Sequence, residues 1–282
     1  MTHAAIPRSA ALSRALPRAA LFGLALLLAA CGRRGAERHA SQTSPSAVAN
    51  HVTPARFDDD DPHPAITGQT RRYPVHGIDL SRFQTSVDWR EARAGGVNFA
   101  FIKAVEGGDL LDPMFDSHWR GAGQAGVRRG AYLFYYHCRP VEEQVRWYIA
   151  HVPRSPGALP PVLDMEWTPT SPTCRIRRSP EVIRAEAAEG IRLLTRHYGT
   201  APILYTTVDF FEDNALWQLG GAEFWLRSVA AHPSDRYPGQ HWRFWQYSST
   251  GRVPGIAGQV DMNAFAGSRA DWDRWLEARS QR

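Results

Sequence analysis

Asp164 and Glu166 stand two residues apart in the apolar stretch Pro161-Val162-Leu163-Asp164-Met165-Glu166-Trp167. Positions i and i+2 of a strand point to the same face, so this spacing predicts two carboxyl groups side by side on a short buried strand. Burial and mutual repulsion raise the pKa of at least one member of such a pair. A carboxylic acid that holds its proton near neutral pH, beside an ionised partner, is the equipment for cleaving a glycosidic bond. Two further acids, Asp79 and Asp261, sit in apolar runs far away in the chain. Either one alone reads equally well as a capping or ion-pairing group. An Asp-x-Glu pair inside an apolar strand is harder to explain that way.

The elements that would position these acids follow from hydrophobic periodicity. From Val75 onward, short apolar runs alternate with amphipathic stretches, as β/α units do. Strands are predicted at Val75–Leu80, Val97–Ala104, Gly130–His137, the Asp164/Glu166 stretch and Pro202–Thr206. Helices are predicted at Val87–Ala94, Met114–Ala125 (with Gly126 as a cap), Val141–His151 and from Ser179-Pro180 to His197. Ser as N-cap followed by Pro at the first helical position is a strong start signal. Beyond Thr206 the helices fade, and Phe224–Leu226, Trp242–Tyr247 and Val260–Asn263 read as strands before a closing helix from Arg269 to about Ala278. The expected class is α/β, a single TIM-like barrel over residues 74–282. It has eight strands and about five helices, (β/α)5(β)3, and neither a repeat nor an internal linker. Such a barrel gathers side chains from the carboxyl ends of its strands, which would bring Asp79, Asp164, Glu166 and Asp261 to one pocket.

Several motifs extend this reading. They are Gly77-Ile78-Asp79-Leu80-Ser81 with Phe83-Gln84 and Asp88-Trp89, and Phe101-Ile102-Lys103-Ala104 with Glu106-Gly107. Leu163-Asp164-Met165-Glu166 follows, and then Trp245-Gln246-Tyr247-Ser248-Ser249 through Gly251, Gly255 and Val260-Asp261. In this order the sequence resembles the family 25 glycoside hydrolases, the muramidases often called Chalaropsis-type lysozymes. The resemblance covers residues 75 to about 276. It implies hydrolysis of the β-1,4 bond between N-acetylmuramic acid and N-acetylglucosamine in peptidoglycan, with no metal or cofactor. By the same resemblance Glu166 matches the general acid, Asp164 its companion, and Asp79 and Asp261 the other two acids of the cleft.

Two catalytic routes stay open: a carboxylate nucleophile, or attack by the substrate's own 2-acetamido group with Asp164 orienting it. The Asp-x-Glu spacing resembles that of barrels using the second. Tyr132, Tyr136, Tyr205, Trp225, Trp245 and Tyr247 are candidate sugar-binding aromatics, although a barrel core also needs such residues for packing. Lys103 is placed either to hold a carboxylate in the pocket or in a structural ion pair. The chain departs from the family pattern at Leu133, where many relatives carry His. It departs again at Arg227-Ser228-Val229, where relatives usually continue with Ala and then an aromatic. The alternatives in function are a catalytically inactive glycan-binding lipoprotein on the same barrel and a chitinase-like hydrolase.

The N-terminus reads as a targeting segment. Arg8, Arg14 and Arg18 precede an apolar run from Ala19 to Ala30 that is too short for a permanent span. Leu28-Ala29-Ala30-Cys31-Gly32 resembles a bacterial lipobox. The expectation is a signal peptide over residues 1–31 with Cys31 lipidated, and Gly32 resembles the sorting pattern for the outer membrane. An exported protein facing the periplasm or the cell surface would follow. Residues 32–73, rich in Ser, Pro, Ala and charge, read as a flexible linker, with Asp58–Asp61 as a solvated acidic run. Cys138 and Cys174 remain as an even pair in an oxidising compartment, which invites a disulfide, with two free thiols as the alternative. The net charge is +5, almost wholly from arginine because Lys103 is the only lysine. A basic surface suits an anionic polymer such as cell wall, while no basic helix or motif points to nucleic acid. A monomer is expected.

Overall fold

The computed structural model describes residues 51–282, so Cys31 and the apolar run before it lie outside the described residues. In chain order the elements are β1 (Asp58–Asp59), α1 (Pro64–Thr70), β2 (His76–Leu80), α2 (Trp89–Ala94), β3 (Phe99–Glu106), β4 (Leu110–Leu111) and α3 (Phe115–Gln124). They continue with β5 (Arg128–Phe134), α4 (Val141–His151), β6 (Val162–Met165), α5 (Pro180–Tyr198), β7 (Ile203–Thr206) and α6 (Val208–Asp213). The last are β8 (Glu223–Arg227), α7 (Pro233–Arg236), β9 (Phe244–Arg252), β10 (Val260–Phe265) and α8 (Arg269–Arg279).

Eight strands form a closed barrel in the order β9-β10-β2-β3-β5-β6-β7-β8, and pairing of β8 with β9 completes the circuit. Every barrel pairing is parallel except those of β10, which runs antiparallel to both β9 and β2. The short β4 folds back on β3, and β1 adds to β9 outside the barrel. The expected α/β barrel is therefore present, with two short helices, α6 and α7, where almost none were expected.

The core has two layers, as expected when both faces of each strand are covered. Inside the barrel, Phe99, Phe101, Val162, Ile203, Trp225, Phe244 and Phe265 pack together, and Trp272 and Trp275 of α8 join them. The rings of Phe265 and Trp272 lie 5.0 Å apart and those of Phe244 and Trp275 5.2 Å apart, both near edge-to-face. Gly77 makes this filling possible, because a Cβ there would come within 2.6 Å of the Phe99 ring. The outer layer holds Ile78, Ala100, Ile102, Leu163, Leu204 and Leu226 against the helices. Helix α5 starts at Pro180 and stops where Gly199 takes a left-handed backbone at φ 72°.

The segment before the barrel is not a free linker over residues 51–73. Val52 is buried with the barrel interior, and Thr53 exchanges hydrogen bonds with the Asn98 side chain at 2.8 and 2.9 Å. Asp58 and Asp59 pair with Arg252 and Gly251, Asp60 meets the Arg252 guanidinium at 2.7 Å, and Ile66 of α1 is 3% exposed. The physical reason is local. Strands β9 and β10 carry no crossover helix, so the outer face shared with β2 needs another cover. The few apolar residues of a polar segment (Phe57, Ile66, Tyr73) are enough to dock it there. The acidic run is thus partly engaged rather than wholly solvated.

Candidate active site

The four acids meet in a single cleft of 550 Å³ at the carboxyl ends of the parallel strands. Asp79 is the penultimate residue of β2, Asp164 lies in β6, and Glu166 follows one residue beyond that strand's end. Asp261 is the second residue of β10, and it reaches the same rim because β10 is reversed: Asp261 is the register partner of Asp79. In a parallel strand an acid so close to the start would lie at the opposite end of the barrel. Lys103, Glu106, Tyr132, Tyr136, Tyr205, Trp225, Arg227 and Gln246 complete much of the lining.

The environment sets different protonation states for these acids. Burial pushes the Glu166 carboxyl up to about 7, against the pull of the Arg227 guanidinium, with Asp209 and Asp79 adding to the rise. Burial and then the Glu166 charge raise Asp164 well above the carboxylate range, opposed by Lys103. Its Oδ1 is buried with no hydrogen-bond partner among the described residues. Asp79 and Asp261 form a hydrogen-bonded pair. Burial raises both, but Asp79 accepts amide hydrogen bonds from Asn263 at 2.7 Å and from Gln246 at 2.9 Å. Asp261, after burial, is raised further by the Asp79 charge. Asp79 is therefore the ionised partner and Asp261 the one that holds the proton.

Two further side chains fix those amides. Trp225 Nε1 donates to Asn263 Oδ1 at 2.7 Å, and the Tyr205 hydroxyl donates to Gln246 Oε1 at 3.0 Å. Tyr205 and Trp225, 6% and 2% exposed, accordingly form the floor of the cleft and orient Asp79 through those amides. Tyr132 is half-buried in the wall, its phenol raised well above the usual range by burial and by Asp79, Asp164 and Asp261. Tyr136 donates to Glu106, which also pairs with Lys103. Burial raises Glu106, but these contacts outweigh it and leave the carboxyl below its ordinary value. The lysine thus holds a carboxylate of the cleft wall rather than one of the four acids.

Trp245 and Tyr247 are corrections, because neither lines the cleft. Side chains alternate along β9, and Gln246 is the one that turns inward to Asp79. Trp245 is fully buried in the outer layer, its indole donating to the Ser228 carbonyl at 2.7 Å. The Tyr247 hydroxyl lies 3.0 Å from His76 Nδ1, under the N-terminal segment. Sequence reasoning missed Gln246, Asn263 and Arg227 as site residues. Strand alternation, two residues on from Asp261 and from Trp225, was the signal that could have found Asn263 and Arg227.

Cys138 and Cys174 form a disulfide with Cα atoms 5.7 Å apart, joining the loops after β5 and β6. The bridged second loop contributes Thr168, Thr170, Ser171 and Pro172 to the cleft. His137 Nε2 contacts the Glu166 carbonyl oxygen at 2.9 Å and so pins the backbone of the proposed acid.

Residues 78–256 match the family model of the glycosyl hydrolases family 25. The chain belongs to glycoside hydrolase family 25. Lysozyme M1 of Streptomyces globisporus is 34% identical over 213 residues, 70% of this chain and 69% of that protein. The YegX protein of Escherichia coli (strain K12) is 35% identical over 204 residues, 70% of this chain and 71% of its own length. Among solved structures, a family 25 glycosyl hydrolase from Bacillus anthracis superposes with a TM-score of 0.67 at 30% identity. That likeness covers 77% of this family 25 chain and 98% of the Bacillus protein.

Proposed function

We infer that this family 25 hydrolase is a peptidoglycan muramidase, cleaving the β-1,4 bond from N-acetylmuramic acid to N-acetylglucosamine. The observation that carries this reading is the split among neighbouring acids in one cleft. Glu166 is set to keep a proton near neutral pH, Asp79 is held ionised, and Asp164 has a buried oxygen without a partner among the described residues. Glu166 protonates the departing glycosidic oxygen as the C1–O bond breaks. We assign the incoming electron pair to the carbonyl oxygen of the substrate's 2-acetamido group, with Asp164 Oδ1 accepting its N–H. The resulting oxazolinium ion is opened by water, from which Glu166 now takes the proton. The ionised Asp79 offsets the positive charge that develops at the ring.

The test is clearance of peptidoglycan by the full-length chain and by Glu166→Gln. Wild type should clear it and release ends with reducing muramic acid. Equal clearance by both proteins refutes the assigned acid. Binding without clearance by either favours a glycan-binding lipoprotein, and cleavage of chitin oligomers in preference to peptidoglycan favours a chitinase-like enzyme.

The lipobox-like run supports a lipid-anchored, exported protein attached through Cys31, in the outer membrane and facing the periplasm or the cell surface. Loss of labelled palmitate and of membrane association in Cys31→Ala would support this, and unchanged fractionation would refute it. We take the enzyme to be monomeric, which light scattering on a sizing column checks.

A further inference from the structure

Arg227 is the last residue of β8, two positions beyond Trp225 and on the same face of the strand. It lines the cleft with Asp79, Glu166 and Asp261. Its backbone is held, since its carbonyl accepts a hydrogen bond from the buried Tyr237 hydroxyl at 2.6 Å. Its guanidinium is not: among the described residues it makes no side-chain hydrogen bond, and no carboxylate comes close enough for an ion pair. Of the other two cations lining the cleft, Lys103 by contrast pairs with Glu106, and the Arg82 guanidinium lies over the Phe83 ring, 5.3 Å from its centre. Arg227 also borders a smaller adjoining depression lined by Thr207, Asp209, Glu212 and Arg236.

This placement works against the chemistry unless it serves the substrate. A positive charge near Glu166 and Asp261 favours loss of the protons they are meant to hold. A planar guanidinium is matched to a carboxylate through paired hydrogen bonds. The muramic acid half of the substrate, unlike the N-acetylglucosamine half, carries carboxyl chemistry on its lactyl ether. We propose that Arg227 is a specificity-determining residue that binds a carboxylate borne by the muramic acid unit. This rests on the muramidase reading above. The carboxylate is either that of a free lactyl group or one on an attached stem peptide. Once bound, it neutralises the guanidinium and removes its pull on Glu166, so the correct substrate completes the acid's environment.

The experiment compares the full-length wild type with Arg227→Met and Arg227→Lys on three glycan strands. One is peptide-free with lactyl carboxylates, one is the same strand with those groups converted to primary amides, and one bears native stem peptides. Wild type should show a kcat/KM at least tenfold higher on a carboxylate-bearing strand than on the amidated one. Arg227→Met should erase that gap, chiefly through KM, and Arg227→Lys should keep part of it. A gap on the peptide-free strand identifies the lactyl carboxylate, and one confined to the native strand identifies the stem peptide. Equal losses on all three strands for Arg227→Met, or no gap in wild type, overturn the proposal while leaving the muramidase reading intact. A wild type inactive on all three overturns that reading itself. Matching melting temperatures for the two variants separate loss of recognition from loss of fold.

Discussion

Asp79 and Asp261 face each other in register across the antiparallel pair of β2 and β10, joined by a hydrogen bond between their carboxyl groups. One proton serves both, and amides from Asn263 and Gln246 decide which of the two is ionised. Both carboxyls titrate above the ordinary carboxylate range, so folding favours their protonated forms. Their stabilising contribution is complete below about pH 4 and is lost as pH rises through about 8, the value to which Asp261 is pushed. The melting temperature should therefore fall by several degrees between pH 5 and 8. Asp261→Asn, which needs no proton, should flatten that fall while lowering activity. Calorimetry across this range reads the difference.

The alkaline limb of activity should report Glu166. An acid raised to about 7 by burial is mostly protonated below that pH and mostly ionised above it. Turnover should accordingly decline as pH rises through about 7, and Glu166→Gln should lower it on the order of 10²–10⁴-fold at the optimum. An initial-rate pH profile on soluble glycan strands is the check.

Asn263 supplies one of two amide donors to Asp79 and is itself held by Trp225. Removing it takes away a hydrogen bond to a charged group, worth roughly 1.5–3 kcal/mol. Asn263→Ala should reduce kcat about 10–100-fold with little change in KM, and should move the acid limb of the profile upward as Asp79 becomes harder to ionise.

The disulfide closes a loop across a separation of 36 residues and ties down part of the cleft wall. Bridges of this span contribute roughly 2–4 kcal/mol. The double change Cys138→Ser with Cys174→Ser should lower the melting temperature by about 5–10 °C. It should also raise KM more than it lowers kcat, since Thr168, Thr170 and Ser171 line the cleft and no acid is touched.

Ile66 tests the role of the N-terminal segment. It is nearly fully buried against a barrel face with no crossover helix of its own. Ile66→Ala should cost about 2–4 kcal/mol and open residues 51–73, protected in wild type, to proteolytic cleavage, without changing the pH profile. Limited proteolysis with mass analysis of the fragments follows it.

The barrel was legible because its signals are local and periodic. Apolar runs such as Phe99–Val105 and start signals such as Ser179-Pro180 set their elements regardless of what lies opposite. The candidate acids were legible for a related reason: a carboxyl inside an apolar strand is costly and stands out. The sequence by itself determined the fold class and singled out the acids that share the cleft. Only the tertiary structure decided how they are used, because that depends on partners brought together across the closed sheet. The reversal of β10 set Asp261 opposite Asp79, and alternation along β9 chose Gln246 over Trp245 and Tyr247. A bare barrel face turned a polar segment from linker into cover. None of these is a property of a residue or of its neighbours in sequence; each is set by which strand lies alongside and in which direction it runs.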